Sequence, residues 1–384
     1  MFNSSRLEIS KSALANNLQF IRNMIGDGVR LSSVVKGNAY GHSIENFVPM
    51  VEACGGDHFS VFSADEAHRL KKVSNGQSEV MIMGMMPYEA MEWAILNDVS
   101  FFVFDLDRLN LAAATAKRLK KTARVHIELE TGMNRTGFAE QELAAVAAIL
   151  KDNPKSLVFE GICTHFAGAE SIANYYRVDQ QKKNYKARAK MLKQLSQRRP
   201  KLYHSACSAA CIRHPDTRMD LVRIGILQYG FWPSPETFIE YSSKTGEMTS
   251  PLERVISWKS EVMSTKAVKK GEFVGYGTSY LANTDLKIAT IPVGYSHGFT
   301  RGLSNQGRVL VHGQRIPVIG IVNMNAIVVD VSNLENVQKG DEVVLIGKQG
   351  ENIISVASFS DFSNQVNYEL LTRLPEHLPR IIVE

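Results

Sequence analysis

Hydrophobic and polar positions follow two alternating patterns up to about residue 230. Short apolar or β-branched runs, typical of buried strands, are separated by longer segments with the apolar spacing of helices. Two predicted helices are "SADEAHRLKK" (63–72), where Ser63 and Glu66 stand at capping-box spacing, and "EQELAAVAAILKD" (140–152). The predicted strands are RLSSVV (30–35), HFSVF (58–62), EVMIM (79–83), SFFVF (100–104), RVHIELE (124–130), VFEGICTHF (158–166), LYHSA (202–206) and LVRIGIL (221–227).

This alternation predicts an α/β fold in which a closed (β/α)8, TIM-like barrel occupies residues 11–244. An open doubly wound sheet is the alternative, and eight strand and helix alternations make it less favourable. Short alternating runs separated by Gly, Asn and Asp turns follow, for example "RVLVHGQRIPVIG" (308–320). They predict a mainly β C-terminal domain at 245–384, with which the run "RLEIS" in residues 1–10 is expected to pair.

Composition narrows the class of protein. Of the 384 residues, 44% are hydrophobic and 22% charged, and no apolar run is long enough for a membrane span. The start "MFNSSRLEISKS" lacks the features of a signal peptide, so we expect a cytoplasmic protein. The net charge of +5 is modest and its basic stretches are typical of solvated helix faces, so nucleic-acid binding is not expected. The four cysteines lack metal-ligand spacing, which predicts free buried thiols and no metal site.

Candidate chemistry collects where the predicted barrel strands end. Reactive groups of such barrels lie at the C-terminal ends of the strands, so side chains at these ends should converge on one mouth. The residues in question are Lys36 after the first strand, Arg135 after the fifth, His165 at the end of the sixth, His204 and Ser208 at and after the seventh, and Arg223, Gly225 and Ile226 on the eighth.

Lys36 is the candidate nucleophile. A poorly solvated lysine has a lowered pKa and a free amine suited to Schiff-base chemistry, whereas a lysine just past a strand end can also be an ordinary surface residue. Ser208 and the backbone N–H groups near Gly225 and Ile226 could bind a phosphate, and Arg223 offers a fixed cation. A lysine beside a phosphate site in a barrel implies either pyridoxal phosphate or a sugar-phosphate aldolase.

These residues stand in motifs that resemble the alanine racemases, the fold type III enzymes dependent on pyridoxal 5'-phosphate. The motifs occur in family order over nearly the whole chain, which makes the resemblance specific. They are VVKGNAYGH (34–42), ETGMNRTGF (130–138), GICTHFAGAE (161–170), SACSAA (205–210), LVRIGILQYG (221–230), GYGTSY (275–280), IPVGYSHGF (291–299), NMN (323–325), GDEVVLIG (340–347) and NYELLTRL (367–374).

The resemblance implies a two-base reaction. Lys36 would form the Schiff base with the cofactor and serve the D-enantiomer, and Tyr276, from the other subunit of a head-to-tail homodimer, would serve the L-enantiomer. One base on each face of the reacting Cα suits a racemase, because the proton removed from one face returns to the other. Tyr295 and Met324 would line the substrate entrance, also from the partner.

The resemblance also implies a cofactor site. Tyr40, Ser208, Gly225 and Ile226 would hold the phosphate. Arg223 would face the pyridine nitrogen with His165 and His204 behind it, and Arg135 would face the ring hydroxyl and take part in substrate binding.

Four positions depart from the family pattern. Glu128 stands where many members carry a lysine that becomes carbamylated and orients the arginine of the TGMNR motif. We predict that the Glu128 carboxylate supplies that negative charge by a direct hydrogen bond from Arg135. Cys207 and Asn325 replace a common asparagine and aspartate, and Glu376 replaces a tyrosine that contacts the phosphate in some members.

The predicted function is therefore an alanine racemase that supplies D-alanine for peptidoglycan. A broader racemase, or one for serine or lysine, is a second possibility, because pocket size depends on the placement of side chains. A cofactor-binding protein without turnover is a third, and the second domain with Tyr276 counts against it.

Overall fold

A computed structural model of the chain describes residues 3–360 and 367–384. Two compact units make up the chain. We call the first the barrel unit, which comprises Ala13–Ala39 and Phe47–Glu253. The second, the β unit, comprises the residues up to Ser12, Tyr40–Asn46 and Arg254–Glu384.

The first strand of the chain, β1 (Ser5–Ser10), belongs to the β unit, and the next eight strands build the barrel unit. These are β2 (Arg30–Val34), β3 (His58–Val61), β4 (Glu79–Ile82), β5 (Ser100–Val103), β6 (Ala123–Glu128), β7 (Leu157–Cys163), β8 (Leu202–His204) and β9 (Leu221–Ile224). They form one parallel sheet in the order β8-β7-β6-β5-β4-β3-β2-β9. All eight predicted strands and the TIM-like barrel are confirmed, although several strands end earlier than the apolar runs do.

The sheet curls until its two outer strands meet. The backbone N–H of Arg223 donates to the carbonyl of Ala206 at 3.0 Å, and that of Asp220 donates to the carbonyl of Tyr203 at 3.1 Å. These bonds connect the ends of β8 and β9 and nearly close the barrel. The closure brings Lys36, which follows β2, to the same mouth as the segments that follow β8 and β9, because the carboxyl ends of parallel strands share one end of a barrel.

Helices cover the outside of the sheet, which is why strands such as β3, β5 and β9 are buried along their whole length. The helical segments are α1 (Lys11–Ile25), α2 (Lys36–Tyr40), α3 (Ile44–Ala53), α4 (Ala64–Val73), α5 (Tyr88–Leu96), α6 (Leu106–Leu119), α7 (Leu143–Asp152), α8 (Tyr175–Ser196), α9 (Ser208–Arg213) and α10 (Pro235–Thr245). None of the helices in the described ranges is long and apolar enough to cross a membrane.

Helix α4 begins where the sequence predicts, but its capping box does not form. The Ser63 side chain makes no capping hydrogen bond. The carboxylate of Glu66, three residues into the helix, accepts instead from the backbone N–H of Phe62 and from that of Gly37 in another segment. The acceptor that would have completed the box is thus engaged in a long-range contact.

The β unit is a sheet of mainly antiparallel strands. Its further elements are β10 (Ile256–Glu261), β11 (Ser264–Val268), β12 (Leu286–Ile291), β13 (Arg308–Val311), β14 (Gln314–Ile319), β15 (Ile327–Asp330), β16 (Glu342–Gln349), β17 (Asn352–Ile354), β18 (Arg380–Val383), α11 (Ala357–Ser360) and α12 (Asn367–Thr372). Strand β1 pairs antiparallel with β10 and parallel with β18, so the pairing predicted for "RLEIS" is confirmed.

The segment Tyr40–Asn46 clusters with the β unit, although the sequence placed it in the barrel. The guanidinium of Arg380 donates to the carbonyl of Gly41 at 3.1 Å, and Asn46 donates to the carbonyl of Arg380 at 3.0 Å. Gly41 permits this approach, since a Cβ atom there would lie 1.9 Å from the carbonyl oxygen of Leu371.

Candidate active site

Lys36 lies immediately after strand β2, at the start of a turn with unusual geometry. Gly37, Asn38 and Ala39 have φ/ψ angles of 62/45°, 52/51° and 54/48°, and Tyr40 has a φ of 52°. Four consecutive residues are therefore left-handed, a conformation that costs roughly 1–2 kcal/mol for each residue other than glycine. The turn stores strain directly beside the candidate nucleophile.

The Lys36 amine makes no hydrogen bond or ion pair with the residues that the structure describes. Its pKa is lowered from the ordinary lysine value, first because neighbouring protein atoms exclude water and then because Arg135 and Arg223 repel the ammonium. The negative charge of Glu66 opposes this effect. A larger share of the amine is therefore unprotonated than in an exposed lysine, as the sequence predicted.

Arg223, on β9, is buried and held by a dense set of acceptors. Its Nη1 atom donates to Nδ1 of His204 at 2.5 Å, and its Nη2 atom donates to the carbonyl of Thr164 at 2.8 Å. The carbonyls of His204 and Ser205 accept further bonds at 3.1 and 3.4 Å. Its Nε–H has no acceptor among the described residues, so one donor of a rigid guanidinium remains available to a ligand.

His204 passes this hydrogen bond on to His126, on β6. The Nε2 atom of His204 lies 2.9 Å from Nδ1 of His126. Because Arg223 can only donate, Nδ1 of His204 accepts, its Nε2 carries the proton, and Nδ1 of His126 accepts in turn. Burial and the Arg223 charge keep the pKa of His204 well below its ordinary value, and burial lowers that of His126 to about 3. Both rings are therefore neutral.

The two residues predicted to support Arg223 differ in what they do. His204 contacts the guanidinium directly, whereas the His165 ring makes no hydrogen bond within the described chain. Burial, followed by Arg223 and Arg135, lowers the pKa of His165 to about 3, so this ring is also neutral. The placement of His165 behind Arg223 stays a prediction: its ring feels the charges of Arg223 and Arg135 but bonds to neither within the described chain.

The predicted phosphate site is partly assembled in the barrel unit. Ser208 begins α9, and its Oγ accepts from the backbone N–H of Gly225 at 3.1 Å. Ile226 begins a short 3-10 turn, Ile226–Tyr229, whose first N–H groups have no acceptor within the turn. Tyr40 belongs to the β unit, where its ring lies edge-on to that of Tyr368 with centroids 6.3 Å apart. Sequence reasoning did not identify Tyr368 at this place.

Glu128 ends strand β6 and is buried, but its hydrogen bond differs from the predicted one. The Thr136 hydroxyl donates to its carboxylate at 2.9 Å. Arg135 is exposed and forms no ion pair within the described ranges. The prediction of a direct Arg135 bond is wrong for this structure, because the adjacent threonine takes the carboxylate. Burial raises the pKa of Glu128, and the charges of Arg223 and Arg135 partly oppose that rise.

The β unit presents its predicted residues at its surface. Tyr276 lies between Gly275 and Gly277, both with positive φ, and is 73% exposed. Tyr295 and Met324 are also exposed and lie on two segments joined by backbone bonds: Tyr295 N–H donates to Asn323 and Ser296 N–H donates to Met324, both at 3.0 Å.

The cysteines and acidic groups form no metal centre in the part of the chain that is described. All four cysteines are free, as predicted. Cys163 and Cys211 are buried, but Cys54 is exposed, which corrects the expectation that all are buried. Cys207 precedes Ser208 at the start of α9 and is partly exposed at the mouth of the barrel.

Comparisons with known proteins identify the family. Residues 9–233 match the family model of the alanine racemase N-terminal domain, and residues 255–382 match that of the C-terminal domain. An alanine racemase of Leptospira interrogans is 31% identical, covering 99% of this chain and 96% of the relative.

Solved structures give the same result. An alanine racemase of Clostridium difficile superimposes with a TM-score of 0.90 at 29% identity, covering 100% of this chain and 97% of the other. One from Bartonella henselae, described with covalently bound pyridoxal phosphate, has a TM-score of 0.84 at 25% identity and full coverage of both chains. The chain therefore belongs to the alanine racemase family.

Proposed function

We propose that this protein interconverts L- and D-alanine with pyridoxal 5'-phosphate, using Lys36 and Tyr276 as the two bases. The observation that carries the proposal is that one barrel mouth holds a Lys36 amine of lowered pKa and an Arg223 guanidinium, and neither this amine nor the Arg223 Nε–H has a hydrogen-bond partner in the described part of the chain. The similarity to alanine racemases, which extends over nearly the whole chain, supports the same reaction.

The donor set fits the cofactor. Lys36 would hold it covalently, and Arg223 would donate through Nε to the pyridine nitrogen. The Ser208 hydroxyl and the Ile226 N–H would bind its phosphate beside Gly225, whose N–H donates to Ser208 Oγ. Tyr40 would add a phosphate contact, and Arg135 would bind the ring hydroxyl and the substrate carboxylate. When bound, pyridoxal phosphate supplies an electron sink for the negative charge left on Cα after its proton is removed.

Arg223 limits how strong that sink becomes. A guanidinium stays protonated in proteins and can only donate, so it leaves the pyridine nitrogen without a proton. The neutral His204 ring keeps the guanidinium in place without adding a second positive charge. A weaker sink favours rapid return of the proton to Cα, which suits racemisation and disfavours side reactions.

Lys36 and Tyr276 would move the proton on opposite faces of Cα. Lys36 would take it from the D-enantiomer, and Tyr276 of the partner subunit would take it from the L-enantiomer. Tyr295 and Met324 would line the entrance from the same partner. The exposed position of all three β-unit residues supports a homodimer in which each site draws on both chains.

Chiral chromatography tests the reaction. The purified protein with pyridoxal phosphate is incubated separately with L-alanine, L-serine and L-lysine, with Lys36→Ala as control. We expect rapid formation of D-alanine and little of the other D-enantiomers. Racemisation of serine or lysine instead would favour a broader or different specificity, and no D-product from a protein that binds the cofactor would exclude the role given to Tyr276.

Subunit mixing tests the partner's contribution. Lys36→Ala and Tyr276→Phe homodimers should each be inactive, but after dissociation and reassociation hybrid dimers contain one site with both native bases. We therefore expect part of the activity to return on mixing. If Lys36 and Tyr276 of the same chain formed each site, the mixture would stay inactive.

A further inference from the structure

The left-handed turn after Lys36 requires an external restraint. Asn38, Ala39 and Tyr40 carry side chains that disfavour positive φ, and only Gly37 adopts it freely. A backbone bond from the N–H of Ala39 to the carbonyl of Val35, at 2.8 Å, closes the turn. A strained conformation persists only where its surroundings fix it, so the groups that contact the turn determine where Lys36 points.

The carboxylate of Glu66 is the first such group. Its Oε1 atom accepts from the backbone N–H of Gly37 at 2.6 Å and lies 3.4 Å from that of Asn38. Its Oε2 atom accepts from the N–H of Phe62 at 2.8 Å. Successive N–H groups in such a turn form a concave site for negative charge, and Glu66 occupies it. One side chain thus joins the segments that follow strands β2 and β3.

Arg69 is the second group. Its Nη2 atom donates to Oδ1 of Asn38 at 2.9 Å. Glu66 and Arg69 stand three residues apart on α4 and therefore lie on the same face of that helix. The acid contacts the backbone of the turn, and the base contacts the side chain of Asn38. Together they form hydrogen bonds with two adjacent residues, Gly37 and Asn38, directly after the lysine.

We infer that Glu66 and Arg69 are positioning residues that hold the left-handed turn and thereby direct the Lys36 amine toward the cofactor carbonyl. This inference rests on the role proposed for Lys36. Glu66 and Arg69 contact Gly37 and Asn38. They act through Lys36, so their effect on cofactor binding depends on the presence of the lysine.

A double-mutant cycle provides the test. Cofactor affinity is measured by equilibrium titration for the native chain, Glu66→Ala, Lys36→Ala and the double variant, all prepared without cofactor. We expect Glu66→Ala to weaken binding about tenfold when Lys36 is present and less than about twofold in the Lys36→Ala background. Equal losses in both backgrounds would overturn the inference, because they would show that Glu66 shapes the barrel or the phosphate site.

The rate of covalent attachment gives an independent readout. Absorbance at saturating pyridoxal phosphate, with borohydride trapping to identify the modified lysine, should show attachment slowed about tenfold in Glu66→Ala and about threefold in Arg69→Gln. Asp65→Asn is the matched control. Asp65 is exposed on the same helix turn and accepts no hydrogen bond within the described residues, so its rate should stay within about twofold of the native chain.

Alternative outcomes separate the two proposals. If Glu66→Ala does not fold, Glu66→Gln, which keeps the shape but only one acceptor oxygen, and Arg69→Gln serve in the same cycle. Native attachment rates in these variants would overturn the inference alone. If the cofactor attaches covalently to Lys36→Ala at another lysine, the proposed function itself fails, whatever Glu66 does.

Discussion

Nη1 of Arg223 lies 2.5 Å from Nδ1 of His204, and the opposite nitrogen of the same ring lies 2.9 Å from His126. The arginine thereby determines the tautomer of two successive buried rings, because it can only donate. A fixed orientation of the guanidinium follows, since rotating it would break the bond to His204 and leave a buried acceptor unpaired. The buried rings of His204 and His126 thus orient the Arg223 guanidinium at the mouth of the barrel.

Acid should destabilise the folded protein through its buried histidines. The pKa values of His58, His126 and His165 are lowered to about 3, mainly by burial, and that of His204 is held well below its ordinary value by burial and the Arg223 charge. Between about pH 6.5 and pH 3 the unfolded chain binds protons on these rings that the native chain does not, so stability is lost as the pH falls, by about 1.4 kcal/mol per pH unit for each ring.

Proton uptake on urea unfolding at pH 5 measures this effect. His58→Gln, which removes one buried ring, should take up about one proton fewer than the native chain. Equal uptake by the native chain and His58→Gln would contradict the prediction.

Gly161→Ala should disrupt the hydrogen bond between His126 and His204. A Cβ atom at this position on β7 would lie 2.4 Å from Nδ1 of His126 and 3.1 Å from Nε2 of His204. We expect the free energy of unfolding to fall by about 1–3 kcal/mol, as in overpacked cores, and cofactor affinity to fall with it. Gly28→Ala is the matched control, because nothing lies within 4 Å of its Cβ and its φ is not positive. If Gly161→Ala bound the cofactor with native affinity, the hydrogen bonds of His204 and His126 would not orient Arg223.

Glu128→Gln should weaken binding of cofactor and substrate by about tenfold, because the buried charge near Arg135 is lost while the shape is kept. Thr136→Val, which removes the hydroxyl bond, should have a smaller effect in the same direction. Since burial raises the pKa of Glu128, kcat/KM of the native protein should fall as acid protonates it, and Glu128→Gln should lack that part of the pH profile. Full activity and unchanged cofactor affinity in Glu128→Gln would show that the Glu128 charge does not support binding of cofactor and substrate.

Arg124→Met should reduce stability without changing KM. Arg124 donates to both carboxylate oxygens of the buried Glu160, at 2.9 and 3.0 Å, and also pairs with Glu79. It lies near the N-terminal end of β6, away from the mouth. Removing one partner of such a pair costs about 3–5 kcal/mol, whereas Lys201→Met, which removes an exposed contact to Glu160, should cost about 1 kcal/mol or less. Urea unfolding and substrate titration would separate the two effects.

Local patterns in the sequence determined the eight strands, the helices between them and the end of the barrel at which Lys36, Arg135 and Arg223 lie. This was possible because strand and helix periods report burial over a few residues, and strand ends in a barrel share one mouth. The same alternation places Arg124, His126 and Glu128 on one face of β6, a signal that could have identified His126.

Only the tertiary structure decided which groups form hydrogen bonds with one another. Glu66 stood at capping-box spacing, yet it accepts from Gly37, 29 residues away, and His126 meets His204 across 78 residues. Thr136 rather than Arg135 reached Glu128. A hydrogen bond forms between groups that come within about 3 Å, and for residues so far apart in the chain that distance depends on how the closed sheet places its strands.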